Sequence, residues 1–370
     1  MDIAFLITLF LTSLVLHYVM VDYATLLGLV DVPNERSMHK TRIPRGAGVA
    51  MLLSVVLVQA LFDYNYLINN AAIYGAITLI FIIGVLDDFF DVSPRLKFVF
   101  IFFAALLVYF NGIHINTLGT YFGHEVTLPV ALLFPFTFFA IAGYTNALNL
   151  IDGLDGLAGS VTLIILITFL AIGITYQDVL ITTLTASFIT VLLAFLLFNW
   201  HPAKIFMGDS GSLTLGFLIA LLSILSLKYI TPSSVLFIIA IPLLDTFIVM
   251  TRRLQRGISP FKADKNHIHH FLYSIKGDIR FTVYLLVSIQ AIFSIIGFQL
   301  KNGNDFLTIA LFALLFFVFL SLFDQRIKRR KLSKKSKKHR RALHGRIPDM
   351  LEDEIVNPCP IHSQDVQEKV

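Results

Sequence analysis

Apolar stretches about as long as a membrane span recur along most of the chain and are separated by short polar segments. They lie at about 3–22, 46–62, 70–86, 96–110, 128–147, 157–174, 179–198, 213–229, 234–250, 281–299 and 306–323. A helix needs roughly 17–25 apolar residues to cross a bilayer, so most stretches qualify and 96–110 is the shortest. The pattern predicts an all-α integral membrane protein with about eleven transmembrane helices. Glycines and alternating apolar residues at 111–127 predict a small hairpin.

Composition supports this assignment. The chain is 56% hydrophobic and 14% charged, with a mean hydropathy of +0.79, whereas a soluble domain is about 25% charged. Asp2 follows Met1, and the first stretch has no cationic start and no small-residue cleavage site, so we expect a retained helix rather than a signal peptide. The single cysteine, Cys359, excludes an intrachain disulfide and a thiolate metal site.

The distribution of Lys and Arg predicts the orientation. If eleven helices alternate, the polar segments near 31–45, 87–97, 149–156, 199–212 and 251–280 and the residues after 323 share one side. That side carries 27 of the 29 Lys and Arg, leaving Lys228 and Lys301 on the other. The positive-inside rule places the basic side in the cytoplasm and the N-terminus in the periplasm.

Two regions follow from the same pattern: a polytopic membrane domain at 1–323 and a basic cytoplasmic tail at 324–370. We expect the tail to be disordered and to lie near anionic lipid headgroups, with partner docking as the alternative. Its charge does not indicate nucleic-acid binding.

Three carboxylates mark the end of the third stretch. Asp87 and Asp91 are four residues apart and are expected to share a helix face, while Asp88 points about 100° away. Side by side the carboxylates repel unless a cation compensates, and Mg²⁺ favours one or two carboxylates together with substrate phosphates. Lys97 would suit an anionic phosphate. The alternative is a set of solvated charges at a helix end.

A second polar series joins the fifth and sixth stretches. Asn146, Asn149, Asp152 and Asp155 are spaced three apart, and interleaved glycines predict a break with a turn at Asp152 to Asp155. Such side chains can bind a nucleobase or ribose, and the Asn149 carbonyl can ligate a metal. The alternative for Asp155 is N-capping of the next helix.

The third cluster precedes the eighth stretch. Gly208 and Gly211 bracket Asp209 and Ser210, which predicts a turn that aims backbone N–H groups at a phosphate while Asp209 ligates metal. Capping is the alternative for the serines.

Histidines follow the ninth stretch. His267, His269 and His270 lie within four residues, and phosphate contact, zinc binding and a solvated loop are the three alternatives for them. Asp245 lies inside the ninth stretch, where a carboxylate usually faces the bundle interior and has a partner. Structural pairing and substrate contact are both open for Asp245.

In combination these motifs resemble the polyprenyl-phosphate N-acetylhexosamine-1-phosphate transferases, which are bacterial inner-membrane enzymes of the glycosyltransferase 4 type. The resemblance covers residues 1 to about 323 and includes the first loop, at 33–36 and Pro44-Arg45-Gly46. It implies transfer of N-acetylhexosamine 1-phosphate, most often GlcNAc 1-phosphate, from a UDP-sugar to undecaprenyl phosphate. UMP is released, and the product begins a surface polysaccharide such as O-antigen. It also implies a requirement for Mg²⁺, with Mn²⁺ as a substitute, and dimers are common in the family.

The resemblance also implies residue roles at an active site on the cytoplasmic face. The implied catalytic residues are Asp87, Asp88, Asp91 and Lys97; the implied metal ligands are Asn149 and Asp209; the implied substrate-binding residues are Arg45, Asn146, Asp152, Asp155, His267, His269 and His270.

Three other functions are alternatives. The peptidoglycan translocase of the same superfamily has a different first loop and histidine loop. A secondary transporter would place its carboxylates near the bilayer midplane and often has internal repeats, which are not evident here. A glycosyltransferase acting outside the cell would need its acidic site on the periplasmic side, where only scattered carboxylates occur: Asp63, Glu125, Asp178 and Asp305.

Overall fold

The protein is described by a computed structural model covering residues 2–31, 42–257, 259 and 267–322, and every structural statement refers to these residues. The loop motif at 33–36 and the basic tail at 324–370 lie outside the described residues. The chain divides into two units, Met1–Leu314 and Leu315–Val370. In the second unit, the described residues 315–322 are helical.

Helices dominate the described residues, which confirms the predicted all-α class. The helices are α1 (Ile3–Tyr23), α2 (Ala47–Phe62), α3 (Tyr64–Asn69), α4 (Ala71–Phe90), α5 (Pro94–Phe110), α6 (Val130–Ile151), α7 (Leu157–Thr175), α8 (Val179–Asn199), α9 (Gly208–Ser226), α10 (Pro232–Ile238), α11 (Ala240–Leu254), α12 (Ile268–Lys276), α13 (Ile279–Gln299) and α14 (Asp305–Leu322).

Eight of these helices, α1, α4, α6, α7, α8, α9, α13 and α14, are long and apolar enough to cross a membrane. The pair α10 and α11 forms a further candidate span that is bent by 89°, and α2 is a shorter apolar helix. The protein is therefore a multi-pass membrane protein, while the number eleven and the orientation stay predictions.

Two short antiparallel hairpins accompany the helices. The strands β1 (Val30–Asp31) and β2 (Ile43–Pro44) join the end of α1 to the start of α2. The strands β3 (Thr117–Tyr121) and β4 (His124–Thr127) form the hairpin predicted at 111–127.

Helix α9 is the centre of the bundle, because every residue from Ser210 to Ser226 is buried. It packs against α4, α6 and α2. Two of these contacts depend on glycine: a Cβ on Gly84 of α4 would lie 2.5 Å from the Ser210 Cα, and a Cβ on Gly216 would lie 2.9 Å from the Thr145 Cα. Small residues let membrane helices approach this closely.

Candidate active site

The amino end of α9 brings the predicted carboxylates together. The backbone N–H groups of Asp209 and Ser210 donate to the two carboxylate oxygens of Asp88, at 2.7 and 3.0 Å. The first N–H groups of a helix have no partner within the helix, and a carboxylate there is stabilised by the helix dipole. Asp88 therefore attaches the end of α4 to the start of α9.

This arrangement corrects the predicted turn before the eighth stretch. The helix begins at Gly208 rather than at 213, so Asp209 and Ser210 lie in its first turn. The predicted turn was wrong because Asp88 caps the helix from a distant position. The two N–H groups expected to face a phosphate are bonded to Asp88. Gly208 has a φ of 70°, and a Cβ there would lie 2.6 Å from an Asp88 carboxylate oxygen.

Lys97 lies between two carboxylates from different helices. Its Nζ donates to Asp87 Oδ2 at 2.7 Å and to Asp209 Oδ2 at 2.5 Å. The remaining oxygen of Asp209 accepts from Asn149 Nδ2 at 3.1 Å, and the remaining oxygen of Asp87 accepts from the Val92 N–H at 2.8 Å. Four predicted site residues thus form one network at a single end of the bundle.

Asp91 differs from the expected geometry. Helix α4 ends at Phe90, and Asp91 is its C-cap residue in the left-handed conformation, with a φ of 50°. Asp87 and Asp91 therefore do not share a helix face. Asp91 is exposed; its backbone N–H donates to the Asp87 carbonyl at 3.0 Å, but no hydrogen bond or ion pair joins its carboxylate to the network in the described part of the chain.

The predicted break after Asn149 is present, since α6 ends at Ile151 and α7 begins at Leu157. Asp155 does not cap α7, whose N-cap is Gly156 without a side-chain bond. Its carboxylate instead pairs with His201 Nδ1 at 2.7 Å and accepts from the Ala203 N–H at 3.1 Å, which joins two loops.

The other two residues of this series face different environments. Asn146 Nδ2 donates to the Ala142 carbonyl of its own helix at 2.7 Å. Burial, followed by the negative charges of Asp209 and Asp88, raises the pKa of Asp152 to about 7. Asp152 therefore holds a proton more readily than an exposed aspartate does, mainly because its carboxyl group is buried.

The histidine segment is attached to Asp245, whose partner the sequence did not reveal. Asp245 is 1% exposed, and its carboxylate pairs with His267 Nδ1 at 2.7 Å and accepts from the Ile268 N–H at 2.6 Å. His267 and His269 are both buried, so a solvated loop is wrong for these two.

His269 lies against the loop between α6 and α7. A Cβ on Gly153 would be 2.5 Å from His269 Nε2, so the ring covers this glycine. Neither ring nitrogen has a hydrogen-bond partner among the described residues. Burial lowers the pKa of His269 to about 3, so the ring is neutral at pH 7. The ring of His270 lies 4.3 Å from that of His269.

Arg45 is placed by the first short hairpin. Its Nη2 donates to Asp31 Oδ1 at 2.5 Å, and its backbone N–H donates to the Leu29 carbonyl. Next to it, the Phe206 N–H donates to the Pro44 carbonyl, which attaches this hairpin to the segment leading into α9.

The donor set of the network fits Mg²⁺. Asp87 and Asp209 place two carboxylates beside the Lys97 ammonium, and the Asn149 Oδ1 atom accepts no hydrogen bond among the described residues. Hard oxygen ligands of this kind suit Mg²⁺, which needs only one or two carboxylates when phosphates complete its shell. Within the described ranges, no three His, Cys, Asp or Glu side chains converge as a metal-binding group.

Three residues that contribute to the site were not predicted from the sequence. Ser212 Oγ accepts from Asn149 at 2.9 Å, and His201 pairs with Asp155. Gly84, which lies one turn before Asp88, admits the start of α9. Of the three, only Gly84 had a signal in the sequence. It is a glycine in an apolar stretch, one turn before the acidic end of the helix, and such a glycine suggests close contact with another helix.

Comparison with known proteins gives a consistent family assignment. The model of glycosyl transferase family 4 matches residues 70–227, which contain all four members of the Lys97 network. The chain is 35% identical over 322 residues to a probable undecaprenyl-phosphate N-acetylglucosaminyl 1-phosphate transferase of Bacillus subtilis, covering 85% of this chain and 89% of the relative.

Two further relatives carry the name undecaprenyl-phosphate alpha-N-acetylglucosaminyl 1-phosphate transferase. The Yersinia pestis protein is 31% identical and covers 90% of this chain and 97% of its own length. The Escherichia coli K12 protein is 29% identical and covers 93% of this chain and 97% of its own length. Similarity over nearly the whole of both chains, together with the matched carboxylate segments, shows that this chain belongs to glycosyl transferase family 4, among its undecaprenyl-phosphate sugar-1-phosphate transferases.

Proposed function

We propose that the protein transfers GlcNAc 1-phosphate from UDP-GlcNAc to undecaprenyl phosphate and releases UMP. The observation that carries this proposal is the Lys97 ammonium between Asp87 and Asp209, beside Asn149. The names of the relatives indicate the lipid acceptor and the sugar phosphate. The product would begin a cell-surface polysaccharide such as O-antigen.

The reaction joins two polyanions. A lipid phosphate oxygen attacks the sugar-bearing phosphorus of the donor, the pyrophosphate P–O bond breaks, and the bonding electrons leave with UMP. Lys97 offsets phosphate charge, and Asp87 orients the lipid phosphate or accepts its proton. Preorganised charges of this kind stabilise a phosphoryl-transfer transition state.

Mg²⁺, with Mn²⁺ as a substitute, would be held by Asp209 and the Asn149 carbonyl and would supply charge neutralisation on the diphosphate. Asp88 fits a positioning role, because both of its oxygens already accept backbone N–H groups of α9. The same bonding favours direct attack over a covalent adduct on Asp88. Exchange of labelled UMP into UDP-GlcNAc without lipid would instead support a two-step route.

A cavity gives the lipid chain a place to lie. It has a volume of about 450 Å³, is lined mainly by apolar side chains and extends from the far end of the bundle, at Thr117 and Ser233, to Tyr144 on α6, five residues before Asn149. At 1.5 Å per residue the two positions are about 7.5 Å apart along the helix. We propose that the isoprenoid chain enters this cavity while its phosphate stays at the network.

The active site is proposed to face the cytoplasm of the bacterial inner membrane. In a Cys359→Ser background, Asp91→Cys marks the site end of the bundle and Phe122→Cys marks the exposed β3–β4 hairpin. A membrane-impermeant thiol reagent on intact cells should label position 122 and leave position 91 unlabelled. The opposite pattern would reverse the orientation.

The outer-face alternative is weakened by the bonding of its carboxylates. Asp178 accepts from Tyr229 and pairs with Lys228. Burial acts to raise the pKa of Asp178, but these partners outweigh it and the pKa is lowered. Asp305 accepts from the Thr120 N–H and from Ser233. These groups stabilise the far end of the bundle.

The transferase proposal is tested with purified protein, labelled UDP-GlcNAc, Mg²⁺ and undecaprenyl phosphate. Label should enter the chloroform-soluble fraction, and Asp209→Asn should abolish this while the protein stays folded. A panel of UDP-GlcNAc, UDP-GalNAc, UDP-QuiNAc and UDP-FucNAc identifies the donor. No lipid-linked label from any of these donors would refute the proposal.

A further inference from the structure

The bend between α10 and α11 has a cause in the sequence. Pro242 lies four residues after Ile238, so it has no N–H to donate to the Ile238 carbonyl and its ring would clash with that carbonyl in a straight helix. The two helices meet at 89° around Ile239. In a membrane, every backbone group freed by such a bend needs a new partner.

One side chain of α13 supplies the partners on both sides of the bend. Gln290 is fully buried; its Oε1 accepts from the Ile241 N–H at 3.0 Å and its Nε2 donates to the Ile238 carbonyl at 2.7 Å. The amide also donates to Ser294 Oγ at 2.9 Å, and this hydroxyl makes a longer bond of 3.4 Å to the same Ile238 carbonyl. Two turns along the same face, Gly297 allows close contact, since a Cβ there would lie 2.8 Å from Ile238 Cγ1.

The direction of α11 in turn determines the position of the histidine segment, residues 267–270. Asp245 lies one turn after Ile241 and bonds both the His267 ring and the Ile268 N–H at the start of α12. Helix α12 then places His269 over Gly153, next to the loop that carries Asp152. The bonds therefore run from Gln290 through Ile241 and Asp245 to the histidines.

We propose that Gln290 is a positioning residue for the donor substrate: its amide sets the angle of α11 and thereby the placement of His267 and His269 at the site. The inference rests on the proposed function for its kinetic consequence. The structural part of the inference is that the Gln290 amide orders α12 from within the bundle. This part does not depend on the proposed function.

The test compares Gln290→Leu, which removes both bonds at similar size, with Gln290→Glu, which in its neutral form keeps one acceptor and one donor. Gln59→Leu is the matched control, because Gln59 is also buried but lies on α2 with its amide oxygen unpartnered among the described residues. We expect Gln290→Leu to raise the KM for UDP-GlcNAc on the order of 10- to 100-fold, since a misplacement of about 1 Å can cost that much. The KM for undecaprenyl phosphate should stay unchanged, and Gln290→Glu should recover most of the loss.

Two further measurements separate positioning from general stability. If Gln290 acts through the histidines, the double variant Gln290→Leu/His269→Ala should raise the KM for UDP-GlcNAc by less than the product of the two single increases. Hydrogen exchange across 267–276 should accelerate in Gln290→Leu and not in Gln59→Leu. If Gln290→Leu fails to accumulate, Gln290→Asn, which is too short to reach both partners, is measured in its place.

The outcomes are distinct. If the wild-type protein shows no transferase activity and hydrogen exchange across 267–276 is faster in Gln290→Leu, the positioning role is supported and the proposed function is refuted. Active protein whose exchange and donor KM are unchanged in Gln290→Leu would overturn the positioning role. A loss of melting temperature with both KM values unchanged would also overturn it, because the amide would then be only structural.

Discussion

Gly84→Ala is the sharpest test of how the site is assembled. The added Cβ would lie 2.5 Å from the Ser210 Cα, 2.6 Å from the Asp209 carbonyl oxygen and 2.7 Å from the Ser210 nitrogen. Carbon atoms in contact prefer about 3.5–4.0 Å, so the start of α9 must move about 1 Å from α4. These neighbours are backbone atoms, so no side-chain rotation can relieve the contact.

The displacement acts directly on the network. The bond from the Asp209 N–H to Asp88 is 2.7 Å, and about 1 Å more exceeds hydrogen-bonding distance. Asp209 would also shift relative to Lys97. A misplacement of this size can cost on the order of 100-fold in rate, so we expect kcat/KM to fall by about that factor.

The matched control lies on the same helix. Gly75 has nothing within 4 Å of its added Cβ, so Gly75→Ala should retain full activity and gain roughly 0.5–1 kcal/mol from helix propensity. Both variants are assayed for transfer of labelled sugar and for melting temperature in detergent. Wild-type kcat/KM and stability in Gly84→Ala would refute the inference that close helix contact positions Asp209.

Three further predictions concern charge. Lys97→Gln should lower kcat/KM on the order of 10²- to 10³-fold, as for loss of a transition-state donor, whereas the exposed Arg95→Gln should change it less than about twofold; equal losses would assign Lys97 to general surface charge. Asp87→Asn should abolish transfer and Asp91→Asn should not, and an inactive Asp91→Asn would restore the catalytic role expected from sequence. Because the folded pKa of His269 is about 3 against 6.5 for an unfolded histidine, its contribution to stability is present above pH 6.5 and lost as the pH falls toward 3. Wild type should lose about 2 kcal/mol more than His269→Gln between pH 7.5 and 5, measured by unfolding midpoints, and equal losses would contradict the buried neutral ring.

Local patterns predicted many of the elements of this protein. The length of each apolar stretch predicted helices close to the observed α1, α7, α8 and α13, and glycines with alternating residues predicted the β3–β4 hairpin. The carboxylate, amide and histidine clusters were visible as polar breaks in an apolar chain. Together with the resemblance, they led to the family that the comparisons support.

Local patterns failed where a distant residue changes a helix end. Asp88 caps α9 across 121 positions of sequence, which moved the start of that helix to Gly208. Asp91 was expected on the face of Asp87, but the helix ends one residue before it. A helix terminus depends on whatever bonds its free N–H and C=O groups, and those partners need not be near in sequence.

The sequence alone determined that this chain is a bundle of apolar helices with charged clusters between them, because burial in lipid requires long apolar runs and expels isolated charges. Only the tertiary structure decided which charges meet. Lys97 between Asp87 and Asp209, Asp245 on His267 and Gln290 across the bent helix all depend on the packing of separate helices. Ion pairs and hydrogen bonds act over a few ångströms in space, and no local sequence pattern specifies that distance.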